Sequence, residues 1–188
     1  MLTPRFEEAL LYATRLHATQ TRKASDIPYV SHLMAVAGLT LEYGGNEDEA
    51  IAALLHDAVE DQGGDETRLE ILERFGPVIT DIVDGCTDAD TFPKPPWRPR
   101  KEAFITSLRA SSDSVRLVVA CDKLHNARAM VKDYRVCGEA LWSRFSGGRE
   151  GMLWYYRTIG DYLHSERTAP VVEELDRVVT ELETLACR

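Results

Sequence analysis

The chain has 188 residues, 44% apolar and 28% charged, with a formal net charge of −9, the profile of an ordinary globular protein long enough for one well-buried core. The negative charge argues against non-specific binding to DNA or RNA, yet it admits a small anionic ligand where a metal and local cations offset the field. No apolar run approaches the roughly 20 residues of a membrane span, and no basic leader precedes an apolar stretch, so a cytoplasmic location away from membranes is expected.

In chain order, nearly every segment reads as helix. Thr3-Pro4 is an N-cap followed by Pro at the first helical position, after which Phe6, Leu10, Ala13 and His17 recur at helical spacing. A second helix is expected from about Ser31 to Tyr43, ending at Gly44-Gly45. Asn46 with Glu49 forms a capping box that opens a helix running to Asp61, with Ile51, Leu54, Leu55 and Ala58 on its core stripe. Gly63-Gly64 ends that helix; others are expected over about Glu66–Phe75 and Val78–Cys86. Between about Thr87 and Arg100, Pro93, Pro95, Pro96 and Pro99 argue for a long irregular loop, made basic by Lys94, Arg98, Arg100 and Lys101. Helices resume near Lys101–Ala110, Ser114–Lys132, Arg149–His164 and Ala169–Ala186, the last with Val171, Val172, Leu175, Val178, Val179 and Leu182 on one face. No segment alternates with a period of two. The expected architecture is all-α: one helical-bundle domain over 1–188, with its core at about 5–165 and a C-terminal helix at about 169–186. Cys86, Cys121, Cys137 and Cys187 form no Cys-x-x-Cys pair and are expected to be reduced thiols.

The chemistry concentrates in His56-Asp57-Ala58-Val59-Glu60-Asp61. On one continuous helix, His56, Asp57, Glu60 and Asp61 share a face away from the core stripe. Three carboxylates that close repel one another, and a divalent cation removes the conflict. The bland alternative is a solvated acidic helix end, which opposes the helix dipole. Asp122 follows the apolar run Leu117–Cys121, so it is expected to be buried and either metal-bound or paired with Lys123 or Arg128. Asn126, one turn later, faces the same way. His32 alone reads more readily as a structural or surface histidine than as a ligand. Together His32, His56, Asp57 and Asp122 supply two nitrogens and two oxygens, a set that suits Mn, Fe, Co or Zn and leaves positions for water and substrate.

The series Arg22-Lys23, Pro28-Tyr29-Val30-Ser31-His32, Leu54 to Asp61, and Asp122-Lys123-Leu124-His125-Asn126 resembles the HD-domain hydrolases of the Rel/SpoT group, over about residues 5–165. The resemblance implies a small stand-alone alarmone hydrolase that removes pyrophosphate from the 3′ position of ppGpp or pppGpp. It implies His32, His56, Asp57 and Asp122 as metal ligands, with Mn²⁺ the usual ion. Glu60 and Asp61 would match the pair that positions and activates water; Arg22 and Lys23 would match the base-stacking and phosphate-contacting pair; Asn126 would help hold the nucleotide. Lys123 and Arg128 are further cations for the substrate, and an aromatic from the Tyr155-Tyr156 region would lie near it, with core packing as the alternative for one of them. The sequence departs from the family at Leu33, where Pro is usual, at Ala58, where Thr is common, in a short spacer between Lys23 and Pro28, and in the Pro-rich basic loop at 92–101. Rival readings keep the chemistry but change the nucleotide (pppApp, NADPH or a nucleoside monophosphate), or make the chain an inactive nucleotide-binding module or a helical interaction protein. The oligomeric state is left open.

Overall fold

Helix α1 (Pro4–Leu16) begins where the Thr3 hydroxyl accepts a hydrogen bond from the Arg5 backbone N–H at 3.3 Å, with Pro4 in the first turn, where an N–H has no helical acceptor. The computed structural model describes residues 1–23, 25–89 and 93–187, which form two compact units, Met1–Pro95 and Pro96–Arg188. The fold is all-α; among the described residues the isolated bridge pairs Thr21 with Pro28. No described helix is long and apolar enough to cross a membrane.

The first unit continues with α2 (Val30–Glu42), α3 (Glu47–Leu55), α4 (Ala58–Gln62), α5 (Asp65–Phe75) and α6 (Pro77–Cys86). The capping box at α3 is present: Glu49 N–H reaches Asn46 Oδ1 at 3.0 Å, and Asn46 N–H reaches Glu49 Oε2 at 2.8 Å. Packed against α1, α2 and α6, α3 is buried from Glu49 to Leu55. Ala50, Ala52 and Ala53 supply small surfaces toward its neighbours, so no single core stripe exists on this helix. Between α5 and α6 the chain turns at Gly76, whose φ of 85° favours glycine.

Two expectations are corrected here. The helix predicted to run from Glu47 to Asp61 stops at Leu55 and restarts at Ala58. The His56 ring Nδ1 donates to the Ala53 carbonyl at 2.8 Å, the acceptor that the Asp57 N–H would use in a continued helix, and Asp57 sits at φ −100°, ψ 0°. The predicted loop also ends earlier than Arg100: α7 spans Trp97–Ser107, because Pro99 falls in its first turn and removes no needed donor. Residues 90–92 of that loop lie outside the described residues.

The second unit holds α7, a 3₁₀ turn (Leu108–Ala110), α8 (Asp113–Cys137), a second 3₁₀ segment (Gly138–Arg144), α9 (Gly148–Leu163) and α10 (Ala169–Ala186). α8 runs five residues past the expected Lys132, to Cys137, and the turn at Gly138 takes φ 56°. The Gly138–Arg144 segment has no periodic signature of its own; it buries Leu141 and Trp142. α10 packs on α8 and α9 through the predicted face, each of whose six side chains contributes roughly 1.5–3 kcal/mol by burial. Thr168 Oγ1 donates to the Leu163 carbonyl at 2.6 Å and closes the α9–α10 turn. The start of α7 is fastened to α9 by Trp97, whose ring fills the space where side chains at Gly147 and Gly151 would project; ideal Cβ atoms there would meet the indole at 2.7 and 3.0 Å.

Gly147→Ala should therefore destabilise the protein by about 1–3 kcal/mol through overpacking, read as a lower urea midpoint with an unchanged slope. An unchanged midpoint would show that the indole is free to move.

Candidate metal centre

Three predicted ligands meet in the first unit. His32 lies in the first turn of α2 and is fully buried; His56 and Asp57 form the α3–α4 junction. His56 Nε2 lies 3.0 Å and His32 Nε2 3.6 Å from Asp57 Oδ2, and the two imidazole centroids are 5.2 Å apart in an edge-on arrangement. One donor atom from each of the three residues falls within a 4.8 Å cluster. The Ala53 carbonyl can only accept, so the His56 Nδ1 bond fixes the tautomer and aims the Nε2 lone pair toward the carboxylate. An imidazole nitrogen facing an anionic oxygen calls for a positive centre between them, which a proton or a bound cation can supply. Two imidazoles and a carboxylate suit a first-row divalent transition metal better than Mg or Ca.

Tyr29 completes the arrangement and was not assigned a role from sequence. Its hydroxyl donates to Asp57 Oδ2 at 2.5 Å, and its ring lies edge-on to His32 at 5.5 Å. Tyr29 closes a short excursion that begins at Gln20: Tyr29 N–H bonds the Gln20 carbonyl at 2.9 Å, and Arg22 N–H bonds the Ile27 carbonyl at 2.8 Å. Arg22 and Lys23 ride on this excursion, with the Arg22 guanidinium 5.7 Å from the Tyr29 ring centroid.

Glu60 and Asp61 follow on α4. The Lys94 ammonium reaches Glu60 Oε1 at 2.6 Å, and the Gln20 carboxamide donates to Asp61 Oδ2 at 2.8 Å. Burial pushes the Glu60 carboxyl up, helped by Asp88 and opposed by Lys94. Burial likewise pushes Asp61 up, helped by Asp57 and opposed by Gln20. Lys94, one of the residues that make the Pro-rich loop basic, thus pairs with Glu60.

In the second unit, Asp122 is buried on α8, as its apolar run predicted. The Lys123 ammonium lies 2.5 Å from Asp122 Oδ2, and the Asn126 carboxamide donates to Oδ1 at 2.5 Å, so Asp122, Lys123 and Asn126 form one polar cluster. Burial alone draws Lys123 down, but Asp122, with Tyr155 and Tyr156, more than offsets it and holds the ammonium well above its ordinary value. Arg128 points instead to Glu174, at 3.0 Å. Tyr155 and Tyr156 are 3% and 5% exposed, which supports core packing for both rings. The basic residues at the start of α7 stack on aromatics: Arg98 lies 3.3 Å from the Trp154 ring centroid, and Lys101 Nζ 5.0 Å from that of Tyr155.

Two imidazoles, one from α2 and one from the α3–α4 junction, and the junction aspartate form the donor cluster of a helical protein that could hold a metal ion. The chain belongs to the HD-domain family, whose model matches residues 9–153. It is 35% identical over 139 residues to the guanosine-3′,5′-bis(diphosphate) 3′-pyrophosphohydrolase MESH1 of Xenopus tropicalis, covering 72% of this chain and 73% of that one. The human MESH1 is 36% identical with the same coverage. A probable guanosine-3′,5′-bis(diphosphate) 3′-pyrophosphohydrolase of Synechocystis is 35% identical over 125 residues, which span 65% of this chain but only 16% of that longer protein. Among solved structures, one described as a metazoan ortholog of SpoT that hydrolyzes ppGpp superposes with a TM-score of 0.78 at 27% identity, covering 95% of both chains.

Two outcomes test this geometry. Tyr29→Phe should weaken divalent-metal binding about 10- to 100-fold in calorimetric titration, because Asp57 loses the Tyr29 donor. The second concerns pH. Glu60 and Asp61 hold protons more tightly folded than unfolded, so their contribution to stability is present in acid and declines as pH rises from the ordinary carboxylate range through their raised values. In chelator, Asp61→Asn should therefore gain thermal stability relative to the parent as pH rises through that window. A constant difference across the series would remove the assigned shift.

Proposed function

We propose that this chain is a metal-dependent phosphohydrolase that removes the 3′-pyrophosphate of ppGpp or pppGpp, giving GDP or GTP and pyrophosphate. The observation that carries the reading is the His32–His56–Asp57 cluster, followed within one helical turn by Glu60 and Asp61, two carboxyls whose proton affinity burial has raised. The MESH1 proteins of matching length, named for that reaction, support the choice of substrate.

His32, His56 and Asp57 would hold the ion, and the Rel/SpoT resemblance adds Asp122 as a further ligand; the proposed ion is Mn²⁺, with Fe, Co or Zn sharing the same donor preference. A divalent cation held by these residues would supply a lowered proton affinity for bound water near neutral pH and would offset charge on the phosphoryl oxygens. Glu60 and Asp61 orient the attacking water and accept its proton, a task for which a carboxyl raised above its ordinary value is better matched than an exposed one. The ribose 3′ oxygen leaves the phosphorus that water attacks, takes up a proton, and pyrophosphate departs intact. Arg22 and Lys23 contact the base and phosphates, and Lys123 and Asn126 serve the nucleotide from the α8 cluster. For Arg128, Tyr155 and Tyr156 the contacts with Glu174 and the core support structural duties instead.

A panel of ppGpp, pppGpp, pppApp and NADPH, with and without Mn²⁺, and separate phosphate and pyrophosphate readouts, tests the proposal. Pyrophosphate released from ppGpp only in the presence of metal is the expected result; inorganic phosphate as the first product, or turnover of NADPH alone, would sink it. Asp61→Ala should keep Mn²⁺ binding and lose most turnover, whereas His56→Ala and Asp122→Ala should lose both.

A further inference from the structure

His17 ends α1 as its C-cap and is 2% exposed, yet none of the roles above uses it. Its ring stacks on Tyr29 with centroids 5.3 Å apart and planes 19° from parallel. His17 Nδ1 lies 2.6 Å from Gln20 Oε1. The same oxygen accepts from Gln62 Nε2 at 2.5 Å, while Gln20 Nε2 donates to Asp61 Oδ2 at 2.8 Å. This pattern sets the carboxamide one way round: two donors on its oxygen and its own N–H on the carboxylate. Rotating it by 180° would set its amine against two donors and its oxygen against Asp61. Nε2 of His17 is buried and meets no hydrogen-bond partner among the described residues, so the polar influence of the ring passes through Nδ1.

We infer that His17 is a positioning residue for Asp61, acting through Gln20. Its Nδ1–H holds the Gln20 oxygen, and so keeps the Gln20 amine on the one oxygen of Asp61, leaving the other to face the attacking water. The inference rests on the proposed role of Asp61 in handling that water. Burial lowers the proton affinity of the imidazole, consistent with a neutral ring carrying one proton. His17 touches neither substrate nor ion in this scheme; its stacking on Tyr29 adds a steric buttress behind the donor to Asp57.

The test combines kinetics on ppGpp in Mn²⁺ with a readout that needs no turnover. His17→Leu keeps apolar bulk and removes the donor; kcat should fall about 10- to 100-fold, with KM and Mn²⁺ affinity nearly unchanged. His17→Asn, whose amide N–H can occupy the place of Nδ1–H, should recover most of the loss. In an Asp61→Asn background His17→Leu should have almost no further effect, the signature of a residue that works through another. Gln20→Leu should reproduce the His17→Leu defect, which keeps the test open if one variant folds poorly. In ¹⁵N spectra of the unsubstituted protein, His17 should be the neutral Nδ1–H tautomer. Wild-type kcat in both His17→Leu and Gln20→Leu, full multiplication of the two defects in the double variant, or the Nε2–H tautomer would each overturn the inference. If the parent protein turns over no ppGpp, the substrate reading fails by itself, and the tautomer still decides the case for His17.

Discussion

One hydrogen bond organises the centre of the first unit. When the His56 ring takes the Ala53 carbonyl, it occupies the acceptor of the next helical rung, and α3 ends beside it. The interruption places Asp57 in a sparsely populated backbone region and its carboxylate beside two imidazoles, rather than one hundred degrees around a continuous helix. The same bond selects the His56 tautomer that can act as a ligand. A backbone detail, the proton on one ring nitrogen and the spacing of three candidate ligands thus share one cause.

Around that point the first unit is arranged in layers of decreasing burial. α3 is buried along most of its length, so the junction rests on packed alanines and leucines that have little freedom to shift. Tyr29, Gln20 and His17 come from the end of α1 and the excursion after it, and they reach the acidic groups by hydrogen bonds and stacking. Arg22 and Lys23 lie on the outer part of the same excursion, where long side chains can adapt to an anion.

How much of this was legible in the sequence follows from what each signal can report. The caps of α1 and α3 and the apolar face of α10 were readable because they depend on residue type at fixed offsets. Periodicity could not reveal the stop at Leu55, since the cause is a side chain bonded to its own backbone. Pro99 was misread because proline breaks a helix in its interior but not in its first turn. His32, His56 and Asp57 stood out as metal-ligand types, and the burial of Asp122 followed from its apolar run. Tyr29, Gln20 and His17 did not: a tyrosine, a carboxamide and a histidine on an apolar helix face are ordinary in composition, and only their three-dimensional convergence distinguishes them.

The seat of Trp97 on α9 carries a consequence for descent as well as packing. An indole that occupies the volume of two missing side chains binds positions 97, 147 and 151 into one heritable unit. A descendant that replaces the tryptophan releases both glycines to drift, while one that gains a side chain at either glycine must shift the ring to make room. Aligned relatives should accordingly keep or exchange the three together, a correlation set by volume alone.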